Sequence, residues 1–136
     1  MKILLAEDDY ASRKYTQKLL SEFGTTDATV DGAEAFAAFE LALEDGEPYD
    51  LICLDVCMPN MDGIEVLSKI REAELKNKIN GEHEAKIIMI TALSDMKYVD
   101  GAFDLGCDGY ATKPLNTAKF KEVLERLGLI DGEKKE

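Results

Sequence analysis

The chain has no tryptophan, one histidine, three prolines and three cysteines in 136 residues, and its 16 Lys and Arg are outnumbered by 28 Asp and Glu, a net charge of −12. Each shortage closes off a class of function. The lone imidazole, His83, lies in the polar run NGEHEAK, which speaks against histidine-based catalysis and against a phosphohistidine carrier. Cys53, Cys57 and Cys107 are odd in number and lack metal-ligand spacing. They read as reduced thiols of a cytoplasmic protein, not as a disulfide framework or a zinc site. The deficit of basic residues leaves no nucleic-acid footprint on this chain. Apolar runs stop far short of the ~20 residues that cross a bilayer, and no signal-peptide pattern is present, so no membrane partner is expected.

What is present is an alternation of short apolar runs and amphipathic segments. Lys2–Ala6 (KILLA), Leu51–Leu54 (LICL) and Lys86–Ile90 (KIIMI) have the character of strands buried on both faces. Thr26–Val30 and Gly109–Thr112 are weaker strands. Tyr10–Phe23 reads as a helix stopped by Gly24, and Gly32–Glu44 as a helix with Ala35, Phe36, Phe39, Ala42 and Leu43 on one face. A third helix runs from Ile64 to about Lys78 with a stripe of Ile64, Leu67, Ile70 and Leu75. A shorter one spans Asp95–Leu105, and a last one starts at a cap on Asn116 or Thr117 and reaches Leu127. The whole predicts one α/β domain over residues 1–130 and a charged, frayed tail over 131–136. Its sheet should be five-stranded, parallel and ordered 2-1-3-4-5, with helices on both faces, a doubly wound flavodoxin-like architecture.

That order sets strands 1 and 3 side by side, roughly 5 Å apart, at the carboxyl edge where open α/β sheets bind ligands. Four strand ends then deliver polar groups to one place. Strand 1 ends on Glu7, Asp8 and Asp9, strand 3 on Asp55, strand 4 on Thr91 and strand 5 on Lys113. Taken singly, each has a plainer reading as a cap, a turn residue or a surface ion; four coincident strand ends argue for a site. Carboxylates this close repel, and at least one pKa should rise unless a cation is near. Hard oxygen ligands beside a phosphate-type site suit Mg²⁺, with Mn²⁺ able to substitute. Lys113 supplies a positive charge and Thr91 a hydroxyl for phosphoryl oxygens. Asp55, in the middle, is the natural nucleophile for phosphoryl transfer, forming an acyl phosphate.

These residues and their spacing resemble the receiver domain of two-component response regulators. The resemblance covers the chain to about Leu127. It is carried by the acids after strand 1, by DVCMPNMDG from Asp55 to Gly63, by ITA at Ile90–Ala92 and by GYATKP at Gly109–Pro114. It implies that Asp55 is the phospho-acceptor and that Glu7 and Asp8 bind the metal together with Asp55 and the backbone carbonyl of Cys57. Thr91 and Lys113 would hold the phosphoryl group, and Tyr110 would change rotamer together with Thr91. The choice of Glu7 and Asp8 over Asp8 and Asp9 rests on their place directly after the strand and on Arg13 falling in register. It further implies a sensor histidine kinase or histidine phosphotransfer protein as donor, a downstream protein target, and no chemistry beyond self-phosphorylation and self-dephosphorylation. The stretch from Arg71 to Lys86 is longer than usual, and the helix from Gly32 is a few residues extended. The chain is either a freestanding receiver or a piece of a longer protein; Met1 and the charged tail favour the first.

The rival reading is a haloacid-dehalogenase-type phosphohydrolase, which also joins an Asp nucleophile, a Thr, a Lys and an acid pair around Mg²⁺. That family carries its nucleophile after the first strand and its acid pair late, whereas here the nucleophile candidate follows strand 3 and the acids come first. A flavin-binding relative would need a Ser/Thr/Gly-rich phosphate loop after strand 1, and EDDY stands there instead. The receiver resemblance also bears on lifetime. Its positions two residues after the acceptor and two after the Thr orient the hydrolytic water, and here they hold Cys57 and Leu93, a weak hydrogen-bonding group and none. If orientation contributes about tenfold, roughly 1.4 kcal/mol of barrier, the phosphorylated form should be long-lived. Cys57→Asn with Leu93→Glu should therefore shed phosphate faster than wild type at equal Mg²⁺, followed by intact mass; equal or slower loss would show that these side chains do not set the lifetime.

Overall fold

The computed structural model describes residues 1–131. Its strands are β1 (Lys2–Ala6), β2 (Thr25–Thr29), β3 (Leu51–Asp55), β4 (Lys86–Thr91) and β5 (Gly109–Thr112). Its helices are α1 (Tyr10–Leu20), α2 (Gly32–Glu44), α3 (Gly63–Lys76), α4 (Val99–Asp104) and α5 (Thr117–Arg126). The strands pair in parallel in the order β2-β1-β3-β4-β5, as the alternation of elements predicts. Strand period two splits the central strands between two cores. Leu4, Ala6, Ile52, Leu54, Ile87 and Met89 face α2, α3 and Ala102 of α4. Ile3, Leu5, Leu51, Cys53, Ile88 and Ile90 face Leu19 and Leu20 of α1 and Phe120 and Leu124 of α5. β2 is an edge strand and alternates in burial accordingly.

Helix starts follow short polar side chains. Asp9, Asp31, Asp62 and Asn116 accept the backbone N–H of Ser12, Glu34, Glu65 and Lys119, opening α1, α2, α3 and α5. The segment after β4 has no such cap. The expected helix Asp95–Leu105 is instead a 3₁₀ stretch over Leu93–Tyr98 followed by a six-residue α4. Neither Ala92 nor Tyr98 offers a side-chain cap, and without one a short helix is costly to nucleate. α1 also ends sooner than expected, at Leu20. The turn beyond it brings Gly24 against the Met1 carbonyl, where a Cβ would not fit. β2 lies one residue earlier than Thr26–Val30. Of the tail expected over 131–136, only Asp131 belongs to the described residues, and it is exposed.

α3 departs most from its expected stripe. Val66, Leu67 and Ile70 are buried, but Leu75 is 77% exposed and the buried residue in the last turn is Glu74. A helix turns 100° per residue, so a residue four beyond Ile70 continues its face and one five beyond leaves it. The buried carboxylate is fully engaged. Glu74 Oε2 accepts the Ala85 N–H at 2.8 Å, and Oε1 pairs with Arg71 Nη1 at 2.6 Å. Arg71 also donates to the Gly106 carbonyl (2.9 Å), the Ala85 carbonyl (2.8 Å) and Asp108 Oδ2 (2.8 Å), which in turn accepts the Ile87 N–H. The long 71–86 segment is thereby clamped to the start of β4 and to the turn before β5. Removing one partner strands a buried charge, so Arg71→Leu should cost about 3 kcal/mol in urea denaturation, while Leu75→Ala stays within about 0.5 kcal/mol. Similar losses in the two variants would argue against the clamp.

Candidate functional site at the carboxyl edge of the sheet

Register brings the acids together. Ala6 pairs with Leu54, so the residues that follow, Glu7 and Asp55, emerge side by side where β1 and β3 leave the sheet. Both are almost fully buried, at 1% and 6% exposure. Lys113, next after β5, reaches across the edge and places Nζ 2.8 Å from Asp55 Oδ2 and 2.9 Å from Glu7 Oε2. Its own N–H is donated to the Thr91 carbonyl at 2.8 Å, which ties the β5 end to the β4 end. The Lys113–Pro114 peptide is cis. Asp8 lies exposed at the mouth, and Glu7, Asp8 and Asp55 each bring one oxygen to within 4.8 Å of the others.

The electrostatics follow from burial. Glu7 is pushed up to about 7 by desolvation and by its hydrogen bond to Asp55, against a partial offset from Lys113. Burial alone would pull Lys113 down, but its hydrogen bonds to Asp55 and Glu7 outweigh that and hold the ammonium above its ordinary value. Arg13 Nη1 donates to the Glu7 carbonyl at 3.0 Å and the Asp8 carbonyl at 3.3 Å, fixing the backbone that presents both acids. Asp9 is elsewhere. Its carboxylate accepts the Ser12 N–H and is held below the usual carboxylate range by that bond, serving as the cap of α1. Of the two acid pairs open from the sequence, Glu7 and Asp8 are the ones gathered around Asp55.

The remaining expected residues surround this centre. Cys57 donates its backbone N–H to Asp55 Oδ1 at 3.2 Å, and desolvation with the Asp95, Asp55 and Asp62 carboxylates pushes its thiol up. Thr91 is fully buried and its hydroxyl donates to the Ala92 carbonyl at 3.0 Å. Tyr110 is 41% exposed and meets Phe103 edge-on at 6.3 Å. Leu93 is exposed two residues after Thr91, and His83 is exposed in a 3₁₀ turn. Beside the acidic cluster, a hydrogen bond from Asn60 to Asp31 escaped the sequence reading. The only signal for it was an Asn inside a turn and an Asp before Gly32, both of which have ordinary turn and cap readings.

Comparison with known proteins decides the family. The model of the response regulator receiver domain matches residues 3–125. The chain belongs to the response regulator receiver family. It is 35% identical over 131 residues to the chemotaxis protein CheY of Treponema pallidum, covering 95% of this chain and 81% of that protein. It is 34% identical over 128 residues to the hybrid signal transduction histidine kinase L of Dictyostelium discoideum, covering 93% of this chain but only 7% of that kinase. Among solved structures, the receiver superposes on the CheX–CheY–BeF₃–Mg²⁺ complex of Borrelia burgdorferi with a TM-score of 0.75 and 30% identity, covering 96% of this chain and 90% of that one. A receiver is a phosphorylation-dependent signalling switch and not a conventional enzyme, and the phosphohydrolase reading finds no support. Among the described residues no helix is long and apolar enough to cross a membrane.

The Glu7 shift has a signed consequence. Metal-free Glu7 keeps its proton to about pH 7, against its ordinary 4.5, so the folded receiver binds more protons than the unfolded chain between those values. That stabilisation is present below the ordinary value and lost as pH rises through the folded one. In chelator-treated samples the melting temperature of Glu7→Gln relative to wild type should therefore climb from about pH 5 to about pH 8. Parallel pH profiles for the two proteins would contradict the shift.

Proposed function

We propose that Asp55 is the phospho-acceptor of this receiver, that a histidine kinase or histidine phosphotransfer protein supplies the phosphoryl group, and that the signal leaves through an altered protein-binding face. The observation that carries this reading is the buried convergence of Asp55 and Glu7 on Lys113, with Asp8 in reach. Asp55 Oδ attacks the donor's phosphorus, an acyl phosphate P–O bond forms, and the donor's P–N bond breaks with its electron pair passing to the imidazole nitrogen. Lys113 follows the charge from the carboxylate to a phosphoryl oxygen, and Thr91 turns its hydroxyl from the Ala92 carbonyl toward another.

Glu7, Asp8, Asp55 and the Cys57 carbonyl fit Mg²⁺, because all are hard oxygen donors and the exposed side at Asp8 leaves room for retained waters. When bound, the ion would neutralise charge on the phosphoryl oxygens; Mn²⁺ offers the same ligand preference. Support for this chemistry comes from the Borrelia relative, whose structure carries BeF₃ and Mg²⁺ in a complex with CheX. Rotation of Thr91 would open space that Tyr110 can enter, changing the face formed by Phe103, Tyr110, Phe120, Val123 and Leu127, which line a groove of about 490 Å³. The 3₁₀ stretch and the short α4 beside it start without a side-chain cap, which makes them candidates for the elements that move. A downstream protein target docked there completes the reading.

Incubation with acetyl phosphate and Mg²⁺ should add a single phosphate by mass spectrometry, and Asp55→Asn should abolish it. Mg²⁺ should also raise the melting temperature by mass action, an effect largely lost in Asp8→Asn. Unchanged labelling in Asp55→Asn, or a wild-type melting temperature blind to Mg²⁺, would overturn the assignment.

A further inference from the structure

The loop between Asp55 and α3 carries Cys57, and it is held at both ends by the site itself. At the near end the Cys57 N–H is donated to Asp55 Oδ1. At the far end the Gly63 N–H reaches the Val56 carbonyl at 3.0 Å, and Gly63 sits so close to the Asp55 carbonyl that a Cβ would overlap it. The middle of the loop lacks such support from the sheet. Met61 N–H bonds to the Pro59 carbonyl at 2.7 Å, and Asn60 adopts φ 68°, a left-handed conformation that Asn tolerates better than most residues.

What holds the middle is α2. Asn60 Nδ2 donates to Asp31 Oδ2 at 3.0 Å, across 29 positions of sequence. The other oxygen of the same carboxylate, Oδ1, accepts the Glu34 N–H at 2.8 Å and caps the helix. The next residue, Gly32, lies against the Met61 carbonyl so tightly that a Cβ would collide with it. Capping needs one oxygen, and Ser serves as well as Asp there. The second oxygen and the glycine are accounted for by the loop. Because the Asn60–Asp31 bond is exposed to solvent, it adds little to global stability. Its effect is local, on where the loop backbone sits.

We infer that Asp31 and Asn60 are positioning residues for divalent metal, holding the Cys57 carbonyl in place through the loop without touching the ion. This rests on the metal reading proposed above. Mg²⁺ demands near-ideal octahedral geometry, so a loop that wanders by a fraction of an ångström weakens one of few protein ligands. Partners behind a ligand commonly contribute ~10-fold or more to affinity; an exposed clip acting through three residues of backbone should contribute about threefold to tenfold.

The test uses the whole chain, Mg²⁺ alone as ligand, and calorimetric titration of wild type, Asn60→Gly, Asp31→Ser and the double variant. Asn60→Gly keeps the left-handed backbone and leaves the α2 cap untouched, so a loss there cannot come from fraying of α2. Each single variant should bind Mg²⁺ about threefold to tenfold more weakly, and the double no more weakly than the worse single. In the metal-free protein the Cys57 amide should exchange faster in the variants while the melting temperature barely moves. Wild-type affinity in both single variants, or losses that multiply in the double, overturns the inference. Asp8→Asn separates the two levels. If wild type binds Mg²⁺, Asp8→Asn abolishes it and Asn60→Gly does not weaken it, only the clip falls; if wild type binds no Mg²⁺, the metal reading and the clip fall together.

Discussion

Everything at the carboxyl edge depends on one ammonium group facing two carboxylates out of water. Glu7 and Asp55 are forced together by the pairing of β1 with β3, and neither has room to retreat. Lys113 satisfies both at hydrogen-bond distance. Burial first, and the hydrogen bond and charge of the neighbouring Asp55 after it, outweigh the single cation and push Glu7 up to about 7. Such a site has an unmet demand for positive charge, and Asp8 at the open mouth directs that demand toward solvent. The geometry that makes the apo edge uncomfortable is the geometry that suits a small, hard cation and a phosphoryl group.

The two ends of the sheet handle buried charge differently. At the amino end, Glu74, Arg71 and Asp108 form a closed network in which the carboxylates also accept backbone N–H groups. That network anchors the C-terminal side of α4 through the Gly106 carbonyl. At the carboxyl end the same helix is entered through an uncapped 3₁₀ stretch. One end of α4 is thus tied by a side-chain hydrogen bond and the other starts without a side-chain cap.

Close approach of backbone to backbone is the other constraint. Gly63 against the Asp55 carbonyl and Gly32 against the Met61 carbonyl let the loop after β3 lie between α2 and α3. Side chains at either position would push the loop outward. The end of β3, two helix starts and the Asn60–Asp31 bond therefore form one assembly, although they are spread over more than thirty positions of the chain.

Much of this was legible in the sequence because its signals are local. Short unbroken apolar runs marked the central strands, apolar stripes at helical spacing with glycine stops marked the helices, and the alternation of the two dictated the sheet order. An acid, a Thr and a Lys at successive strand ends then had to share an edge. Other features needed the tertiary structure, since they turn on which atoms meet across the fold. Adjacent Asp8 and Asp9 are chemically alike, and only the path of the chain into α1 sends one to the acidic cluster and the other to Ser12. Leu75 looked like core and Glu74 like surface until the rotation of α3 and the reach of Arg71 reversed them. The second oxygen of Asp31 has no meaning in sequence; its partner lies 29 residues away, and only the packing of the loop after β3 on α2 brings the two together.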